Sequence, residues 1–175
     1  MRKALAFLLL TLAMSLPALA LPLALHPATA EAAVTPTRAE RRVVAAINRV
    51  RVAHGLARLS FRGSLIRASR SHAAELADRQ LLSHTSENGW TVGERVRYFG
   101  YTTTNCLLWT VGENLACGAS GTTYATPRAI VNGWMHSSAH REVLLTARLR
   151  DIGVGIHASS DGMRYFTVDL GRRVR

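Results

Sequence analysis

The run 152-IGVGIHASSDGMRYFTVDL-170, near the end of the chain, decides the fold class. Residues 152–157 and 164–170 are two strand-like segments, and the Asp161-Gly162 pair between them is a strong hairpin signal. The residues upstream carry helix signals instead. Helices early in a chain and an antiparallel hairpin late predict an α+β domain in which helices pack against a sheet.

Four helices are predicted upstream of this hairpin, and each begins at a recognisable capping residue. The capping residues are Thr37 and Thr91, each within a capping box, then Ser64, and Thr126 followed by proline. The fourth helix is expected to end near Ser137, because consecutive serines favour caps and turns over helix interiors. The segment between Cys106 and Cys117 is expected to form a loop.

The first thirty residues have the layout of a secretory signal peptide, in which Arg2 and Lys3 precede a long apolar run that ends in small residues. Cleavage is expected before Glu31 or one or two residues later. An uncleaved membrane anchor is the alternative, because the run approaches the ~20 apolar residues of a spanning helix, although two prolines interrupt it. We therefore predict a secreted or periplasmic protein with a signal peptide (1–30), a short linker (31–37) and one domain (38–175).

The composition is strongly basic, with 22 Lys and Arg residues against 11 Asp and Glu residues. Removal of residues 1–30, which contain Arg2 and Lys3 and no acid, would lower the formal net charge from +11 to +9. This excess favours contact with anionic surfaces such as phospholipid headgroups or wall polymers. Nucleic acid is not an expected partner, because the chain is predicted to be exported and has no basic run interleaved with aromatic residues.

The two cysteines, Cys106 and Cys117, both lie in the part predicted to be exported, where oxidation is permitted. A disulfide between them is therefore predicted, and it would brace Glu113 inside the closed loop. A metal site is the competing interpretation, but two thiols with no nearby third ligand make a poor zinc pattern.

Several short blocks occur in an order that is typical of one protein family. They are Ile47-Asn48 with His54-Gly55-Leu56 and Leu59; Ala68, His72 and Ala73; Leu82-Ser83-His84-Thr85; Gly112-Glu113-Asn114-Leu115-Ala116; Trp134-Met135 with His140-Arg141; Ile152-Gly153-Val154-Gly155; and Phe166-Thr167 with Gly171. The ordered series resembles bacterial members of the CAP superfamily, which comprises cysteine-rich secretory proteins, antigen 5 and pathogenesis-related proteins.

The resemblance implies an α-β-α sandwich and a central cleft lined by two histidines and two acids, where a divalent cation can bind. By motif, His84 and His140 are the histidines and Glu113 is one acid. Ser137 occupies the position at which many eukaryotic members have the second acid. Two further positions depart from the family pattern, Ala139 before the second histidine and Val168 in the last strand.

Two neutral imidazoles and one carboxylate are suitable ligands for zinc, with water completing a tetrahedron. Together with this chemistry, the resemblance implies that His84 and His140 bind a divalent cation, with Glu113 and Ser137 lining the same cleft. Two other histidines receive structural roles: His54 at a helix end, and His72 packed in the core.

The resemblance favours a non-catalytic extracellular binding module for a lipid, a sterol-like molecule, a peptide or a wall fragment, because family members bind lipids and are seldom clear enzymes. The alternative is a metal-dependent hydrolase in which Glu113 acts as the general base. Against it, no helix carries the His-Glu-x-x-His arrangement of a metalloprotease.

Overall fold

The structure is a computed structural model that describes residues 34–174. The helices are α1 (Arg38–Ala53), α2 (Gly63–Arg79), α3 (Val92–Tyr98), α4 (Pro127–His136) and α5 (Ser138–Leu145), and the strands are β1 (Ser60–Phe61), β2 (Leu108–Ala119), β3 (Asp151–Ala158) and β4 (Met163–Val174). The predicted signal peptide and most of the predicted linker lie outside the described residues. Within 34–174, no helix is long and apolar enough to cross a membrane.

The four strands form one mixed sheet in the order β1-β3-β4-β2. β1 runs parallel to β3, whereas β3 and β2 both pair antiparallel with β4. The predicted hairpin is β3–β4, and Gly162 at its turn has a φ of 80°, which favours glycine. With helices on both faces, the sheet confirms the predicted α+β class and the α-β-α sandwich.

The helices divide between the two faces according to the alternation of side chains along β4. Phe166, Val168 and Leu170 pack with α1, α4 and α5 in the larger apolar core. Tyr165 packs with α2 on the opposite face, and Asp169 lies on that face too because side chains alternate along a strand. The polar site described below is therefore on the α2 side of the sheet.

The predicted loop between Cys106 and Cys117 is wrong, because most of it is the long edge strand β2. β2 pairs with β4 along its whole length, from Leu108 opposite Val174 to Ala119 opposite Met163. The polar pair Glu113-Asn114 and two nearby glycines weaken the apolar pattern of this strand. Pairing with β4 supplies the stability that the local sequence does not.

The predicted disulfide is also wrong, since Cys106 and Cys117 are both free thiols. Because a strand rises by about 3.3 Å per residue, the extended chain from Leu108 to Cys117 covers on the order of 30 Å. The Cα atoms of a disulfide are separated by at most about 7 Å. Sheet pairing, rather than a covalent loop, holds Glu113 in place.

Local capping explains where most of the helices begin. Both capping boxes form as predicted, at Thr37 with Glu40 and at Thr91 with Glu94, and Thr126 caps α4. Ser64 does not cap α2: the N-cap is Arg62, two residues earlier, and Ser64 is buried inside the first turn.

α5 was not predicted as a separate helix, and a buried arginine fixes its end. The guanidinium of Arg51, on α1, donates to the carbonyl oxygens of Leu144 and Thr146 at 2.6 and 3.2 Å. It also donates to the carbonyl of Leu149, at 3.3 Å. These bonds satisfy carbonyls that a helix C-terminus leaves without partners, so α1 and α5 are held together.

Candidate functional site

Glu113, near the middle of β2, is the centre of a buried polar cluster, and its side chain is only 2% exposed. Its Oε1 atom accepts a hydrogen bond from Nδ1 of His84 at 2.8 Å. Its Oε2 atom accepts one from Nη2 of Arg95 and lies 3.9 Å from Nε2 of His72. Each carboxylate oxygen therefore has a partner that can donate a hydrogen bond.

His84 lies in the loop after α2, and its side chain is 62% exposed. Because a carboxylate only accepts hydrogen bonds, Nδ1 of His84 carries the hydrogen that it shares with Glu113. The hydrogen bond to Glu113 raises the pKa of His84, against the opposing effect of partial burial. In the neutral ring, the hydrogen is on Nδ1, so the lone pair of Nε2 is free.

His140 lies in the first turn of α5, with its backbone fixed to β2. Its carbonyl oxygen accepts a hydrogen bond from Nδ2 of Asn114 at 3.0 Å. Partial burial, and then the charge of the neighbouring His84, lower the pKa of His140, so its imidazole is neutral near pH 7. The fold thus joins His84 to Glu113 through a hydrogen bond and brings His140 within electrostatic range of His84.

Ser137 occupies the junction between α4 and α5, three residues before His140. It is both the last cap of α4 and the first cap of α5, without a side-chain capping bond. Its backbone carbonyl accepts a hydrogen bond from the backbone N–H of Arg141. Ser137 therefore starts the helix that carries His140.

Arg95 is a member of the cluster that the sequence analysis missed. It lies on α3, its side chain is 2% exposed, and its Nη1 atom donates to the Ser86 hydroxyl at 2.9 Å. Its Nε atom has no hydrogen-bond partner within residues 34–174. The Arg95 guanidinium thus compensates the buried Glu113 carboxylate, and its hydrogen bonds connect α3 and the loop before it to β2.

Asp169 is the second missed residue, and it lies directly opposite Glu113 in the β2–β4 pairing. It is fully buried, and its Oδ2 atom accepts a hydrogen bond from the Ser69 hydroxyl at 2.8 Å. Burial, and then the Glu113 carboxylate, raise the pKa of Asp169 well above its ordinary value. Burial and the neighbouring carboxyl group of Glu113 therefore both favour the neutral form of Asp169.

We expect Asp169→Asn to stabilise the protein at high pH, because asparagine resembles the neutral acid and cannot ionise. The raised pKa means that the stability contributed by Asp169 is complete below its ordinary pKa of 3.8 and is lost as the pH rises toward the folded value. The gain in free energy of unfolding at pH 8 should be on the order of 1 kcal/mol or more, because a tenfold difference in the ionisation constant between the folded and unfolded protein is already worth that much. It should vanish near pH 3.5.

Urea unfolding of the wild type and Asp169→Asn at both pH values measures this difference. Asp78→Asn is the control, because Asp78 is exposed on the same layer and should change stability little at either pH. A loss of stability in Asp169→Asn at pH 8 would show that Asp169 is needed as an ionised group.

His72 is a buried histidine on α2, as predicted. Its Nε2 atom lies 2.8 Å from the carbonyl oxygen of Ser83, next to His84, and its Nδ1 atom lies 3.4 Å from Oε2 of Glu75. Burial, and then the nearby Arg95, lower the pKa of His72. A neutral His72 therefore holds the loop that carries His84.

As candidate ligands of a divalent cation, the site offers a pair of histidines, His84 and His140. Among the described residues, no group of three or more His, Cys, Asp or Glu side chains is arranged to hold a metal ion. Both oxygens of Glu113 already accept hydrogen bonds from His84 and Arg95. Glu113 is therefore better placed to orient the His84 ring than to bind a cation directly. His84 and His140 would leave the other coordination positions to water or to a bound molecule.

Comparison with known proteins identifies the family from the sequence. The family model described as "Cysteine-rich secretory protein family" (CAP) matches residues 44–170. The uncharacterized protein YkwD of Bacillus subtilis is 31% identical over 136 residues, which cover 74% of this chain and 49% of that protein. The uncharacterized membrane protein YlbC of the same organism is 26% identical, over 78% of this chain and 35% of its own length. The chain thus spans half or less of these curated relatives.

Two solved structures share the fold at lower identity. An outer surface protein from Borrelia burgdorferi has a TM-score of 0.65 and 23% identity, covering 77% of this chain and 92% of that one. An extracellular protein containing a SCP domain from Bacillus anthracis has a TM-score of 0.63 and 21% identity, and the match covers 80% of this chain and 45% of that one. At this identity the likeness shows the fold alone.

Proposed function

The chain belongs to the cysteine-rich secretory protein (CAP) family, and from this premise we propose that it is an exported, non-catalytic binding module. In this proposal His84 and His140 hold a divalent cation, such as zinc, with Glu113 behind them. The module binds a small apolar or wall-derived ligand at this cleft.

The hydrogen bond from Nδ1 of His84 to Glu113 is the observation that carries the proposal. A metal-bound histidine usually donates its other ring N–H to a carboxylate, which fixes the tautomer and orients the ring. His84 has such a partner, and it is the exposed member of the cluster. Its Nε2 atom is therefore available to a cation that arrives from solvent.

The pKa values of the two imidazoles are shifted in opposite directions, so cation binding should depend on pH. The lowered pKa of His140 leaves its lone pair available, whereas the raised pKa of His84 lets protons compete at mildly acidic pH. When bound, the cation would supply a Lewis-acidic centre with open positions for an oxygen of the ligand.

The position of Glu113 favours binding over hydrolysis. A general base must reach the water from which it takes a proton. Glu113 is almost fully buried, and both its oxygens accept hydrogen bonds from His84 and Arg95. A carboxylate held in this way orients His84 better than it activates water.

Export is supported by the signal-like first thirty residues and by the names of two structural neighbours, an outer surface protein and an extracellular protein. The relative named as a membrane protein keeps the uncleaved anchor as the alternative. Both alternatives place the domain outside the cytoplasm.

Zinc titration of the purified protein by calorimetry, at pH 7.5 and 6.0, tests the cation site. We expect the wild type to bind zinc, and His84→Ala and His140→Ala to lose this binding. Glu113→Gln should bind about 10- to 100-fold more weakly, as is usual when the partner behind a metal-bound histidine is changed. Binding should weaken at pH 6.0 because protons compete for His84.

His136→Ala is the matched control for this experiment. His136 is exposed on α4, four residues before His140, and its Nδ1 atom lies 2.8 Å from the carbonyl oxygen of Asn132. It should leave zinc binding unchanged. Absence of binding by the folded wild type, or binding that survives in both His84→Ala and His140→Ala, would overturn the cation site.

A further inference from the structure

The first half of β2 is an unprotected edge of the sheet. β2 is an outer strand, with β4 as its neighbour in the sheet. The run 107-LLWTVG-112 at its start contains no charged residue and no proline. Natural proteins usually protect an exposed strand edge with charged residues, proline or a covering segment. An apolar edge that lacks such protection is suited to pairing with another strand.

The odd-numbered residues of β2 direct their backbone N–H and C=O groups away from β4. In an antiparallel pair, residues that exchange hydrogen bonds alternate with residues that do not. Just beyond β2, the backbone N–H of Ser120 donates to the carbonyl oxygen of Gly162 at 2.8 Å, in register with Ala119 opposite Met163. The even-numbered residues therefore bond to β4, and the odd-numbered residues face outward.

The second half of this outer edge is covered by the protein itself. The carbonyl oxygen of Leu115 accepts a hydrogen bond from Nε1 of Trp134 at 2.8 Å. The carbonyl oxygen of Ala119 accepts two from Thr122, one from its backbone N–H at 3.2 Å and one from its hydroxyl at 2.7 Å. Both acceptors are odd-numbered, so the fold satisfies outward-facing groups in this half of the strand.

Trp109, Val111 and Glu113 are the odd-numbered residues of the first half, and their backbone groups lack such partners. No hydrogen bond joins the backbone N–H or C=O of these three residues to another residue in the range 34–174. We call this row of backbone groups the open edge of β2. Leu107 and Leu108 lie at its start and are 87% and 41% exposed. Unpaired backbone groups and exposed apolar side chains therefore lie next to each other.

The chemistry of the open edge matches the backbone of an extended polypeptide. Each of its three residues offers one donor and one acceptor, and the pattern repeats every two residues, or about 6.6 Å. A glycan or a lipid does not carry alternating donors and acceptors at this repeat. Apolar side chains on the incoming segment would cover the two exposed leucines.

We propose that the open edge of β2 binds an extended apolar peptide segment, which adds a fifth strand to the sheet. Its backbone exchanges hydrogen bonds with Trp109, Val111 and Glu113, and its side chains point alternately to the two faces of the sheet. The segment is short, because the covered half of the edge begins at Leu115. The proposal goes beyond the cation site and does not depend on it, since the open edge consists of backbone groups.

A second copy of this chain is a less suitable occupant of the open edge. The chain has 22 basic and 11 acidic residues, so two copies brought edge to edge repel each other. α5 also flanks this part of β2, where a Cβ atom at Gly112 would lie 3.0 Å from Cγ1 of Val143. A second domain would have to place its own flanking helices beside these, whereas a single strand would not.

Fluorescence anisotropy with two labelled peptides tests the proposal. Both peptides alternate valine and threonine, with glutamate at each end for solubility. The probe is N-methylated at every second residue, so one edge keeps its N–H groups and the peptide cannot stack into fibrils. The control is N-methylated at every residue, which keeps the side chains and removes every backbone donor. We expect the control to bind more than about tenfold more weakly than the probe, because its hydrogen bonds are lost.

Val111→Pro removes the outward-facing N–H at the centre of the open edge. Proline is tolerated in an edge strand where its N–H would face solvent, so the variant should fold, which circular dichroism and thermal unfolding check. We expect it to bind the probe more than about tenfold more weakly, since a hydrogen bond is lost and the ring obstructs a neighbouring strand.

Val111→Ala is the matched control, because it shortens the same side chain and keeps the N–H. It should bind the probe within about threefold of the wild type, since main-chain hydrogen bonds supply the affinity of an added strand. His84→Ala should also bind the probe like the wild type, so a failure of the cation site would be recognised separately.

Hydrogen exchange measured by NMR tests the open edge without the proline variant. In the free protein, the Val111 amide should exchange at least about tenfold faster than the Thr110 and Gly112 amides, which bond to β4. Saturation with the probe should slow exchange of the Val111 amide. Equal protection of all three amides in the free protein would show that the edge is already satisfied, and would overturn the proposal.

The binding experiments can overturn it in three further ways. Equal binding of the probe and the fully methylated control would assign the affinity to apolar contact alone. Unchanged binding by a folded Val111→Pro variant, or no binding of the probe by the wild type, would exclude the site. A concentration-dependent dimer of the wild type that is lost in Val111→Pro would assign the open edge to a second copy.

Discussion

Gly155→Ala is expected to prevent stable folding, because β3 and α2 are in contact through their backbones at this position. A Cβ atom at Gly155 would lie much closer than 3.0 Å to the carbonyl group of Ser69 on α2, and one at Gly153 would meet Leu65 in the same way. Only a movement of the whole helix could relieve these clashes. We expect a loss of about 4 kcal/mol or more, which is a large part of the ~5–15 kcal/mol that stabilises a domain.

Gly133→Ala is the matched control, since a Cβ atom at Gly133 on α4 would meet nothing within 4 Å. At an exposed helix position, alanine is more favourable than glycine by up to about 1 kcal/mol. This variant should therefore be as stable as the wild type or more stable. Urea unfolding followed by circular dichroism measures both changes. If Gly155→Ala stays within about 1 kcal/mol of the wild type, the close packing of α2 on β3 is refuted.

Arg95→Met is expected to destabilise the protein by about 3–5 kcal/mol, the usual cost of removing one partner of a buried ion pair. Without Arg95, the buried Glu113 keeps its hydrogen bond to His84 but lies beside Asp169 with no compensating guanidinium. Methionine fills a similar volume, so the loss reports the missing charge and hydrogen bonds more than a cavity. Urea unfolding at pH 7 gives the difference.

Arg97→Met tests whether position matters more than residue type. Arg97 lies on the same helix but is exposed, with its guanidinium carbon 5.5 Å from the ring centre of Trp109. A cation–π contact at an exposed site is worth about 0.5–1 kcal/mol, so the loss should be small.

A double variant distinguishes the effect of the uncompensated Glu113 carboxylate from the other effects of losing Arg95. Adding Glu113→Gln to Arg95→Met removes the uncompensated carboxylate, and we expect it to restore a substantial part of the lost stability. Equal stability of Arg95→Met and Arg97→Met would contradict the structural role of the Arg95–Glu113 pair. A double variant less stable than Arg95→Met alone would also contradict it.

The elements that the sequence predicted well are those whose signals are local. The Thr37–Glu40 and Thr91–Glu94 capping boxes each need only one helical turn, and both form where predicted. The Asp161-Gly162 pair determines the β3–β4 turn within a few residues. Such signals act over distances that the chain itself fixes, so no tertiary contact is needed to interpret them.

The failures have the opposite origin. β2 was expected to be a loop, because Glu113 and its neighbours lack the alternation of a half-buried strand, and its extended form depends on pairing with β4. The disulfide between Cys106 and Cys117 was inferred because the only two cysteines both lie in the part predicted to be exported, but an extended strand separates the two thiols. Both errors come from treating a segment paired over long range as if it were a local loop.

The sequence by itself determined the family, the α+β class and most helix starts, and it predicted a site at His84, Glu113 and His140. Only the tertiary structure decided what surrounds Glu113, since Arg95 comes from α3 and Asp169 from β4, far away along the chain. It also decided that Glu113 lies behind His84, and that the open edge of β2 faces away from β4. Residue types and local spacing fix capping and turns, but burial and charge compensation depend on which segments pack together.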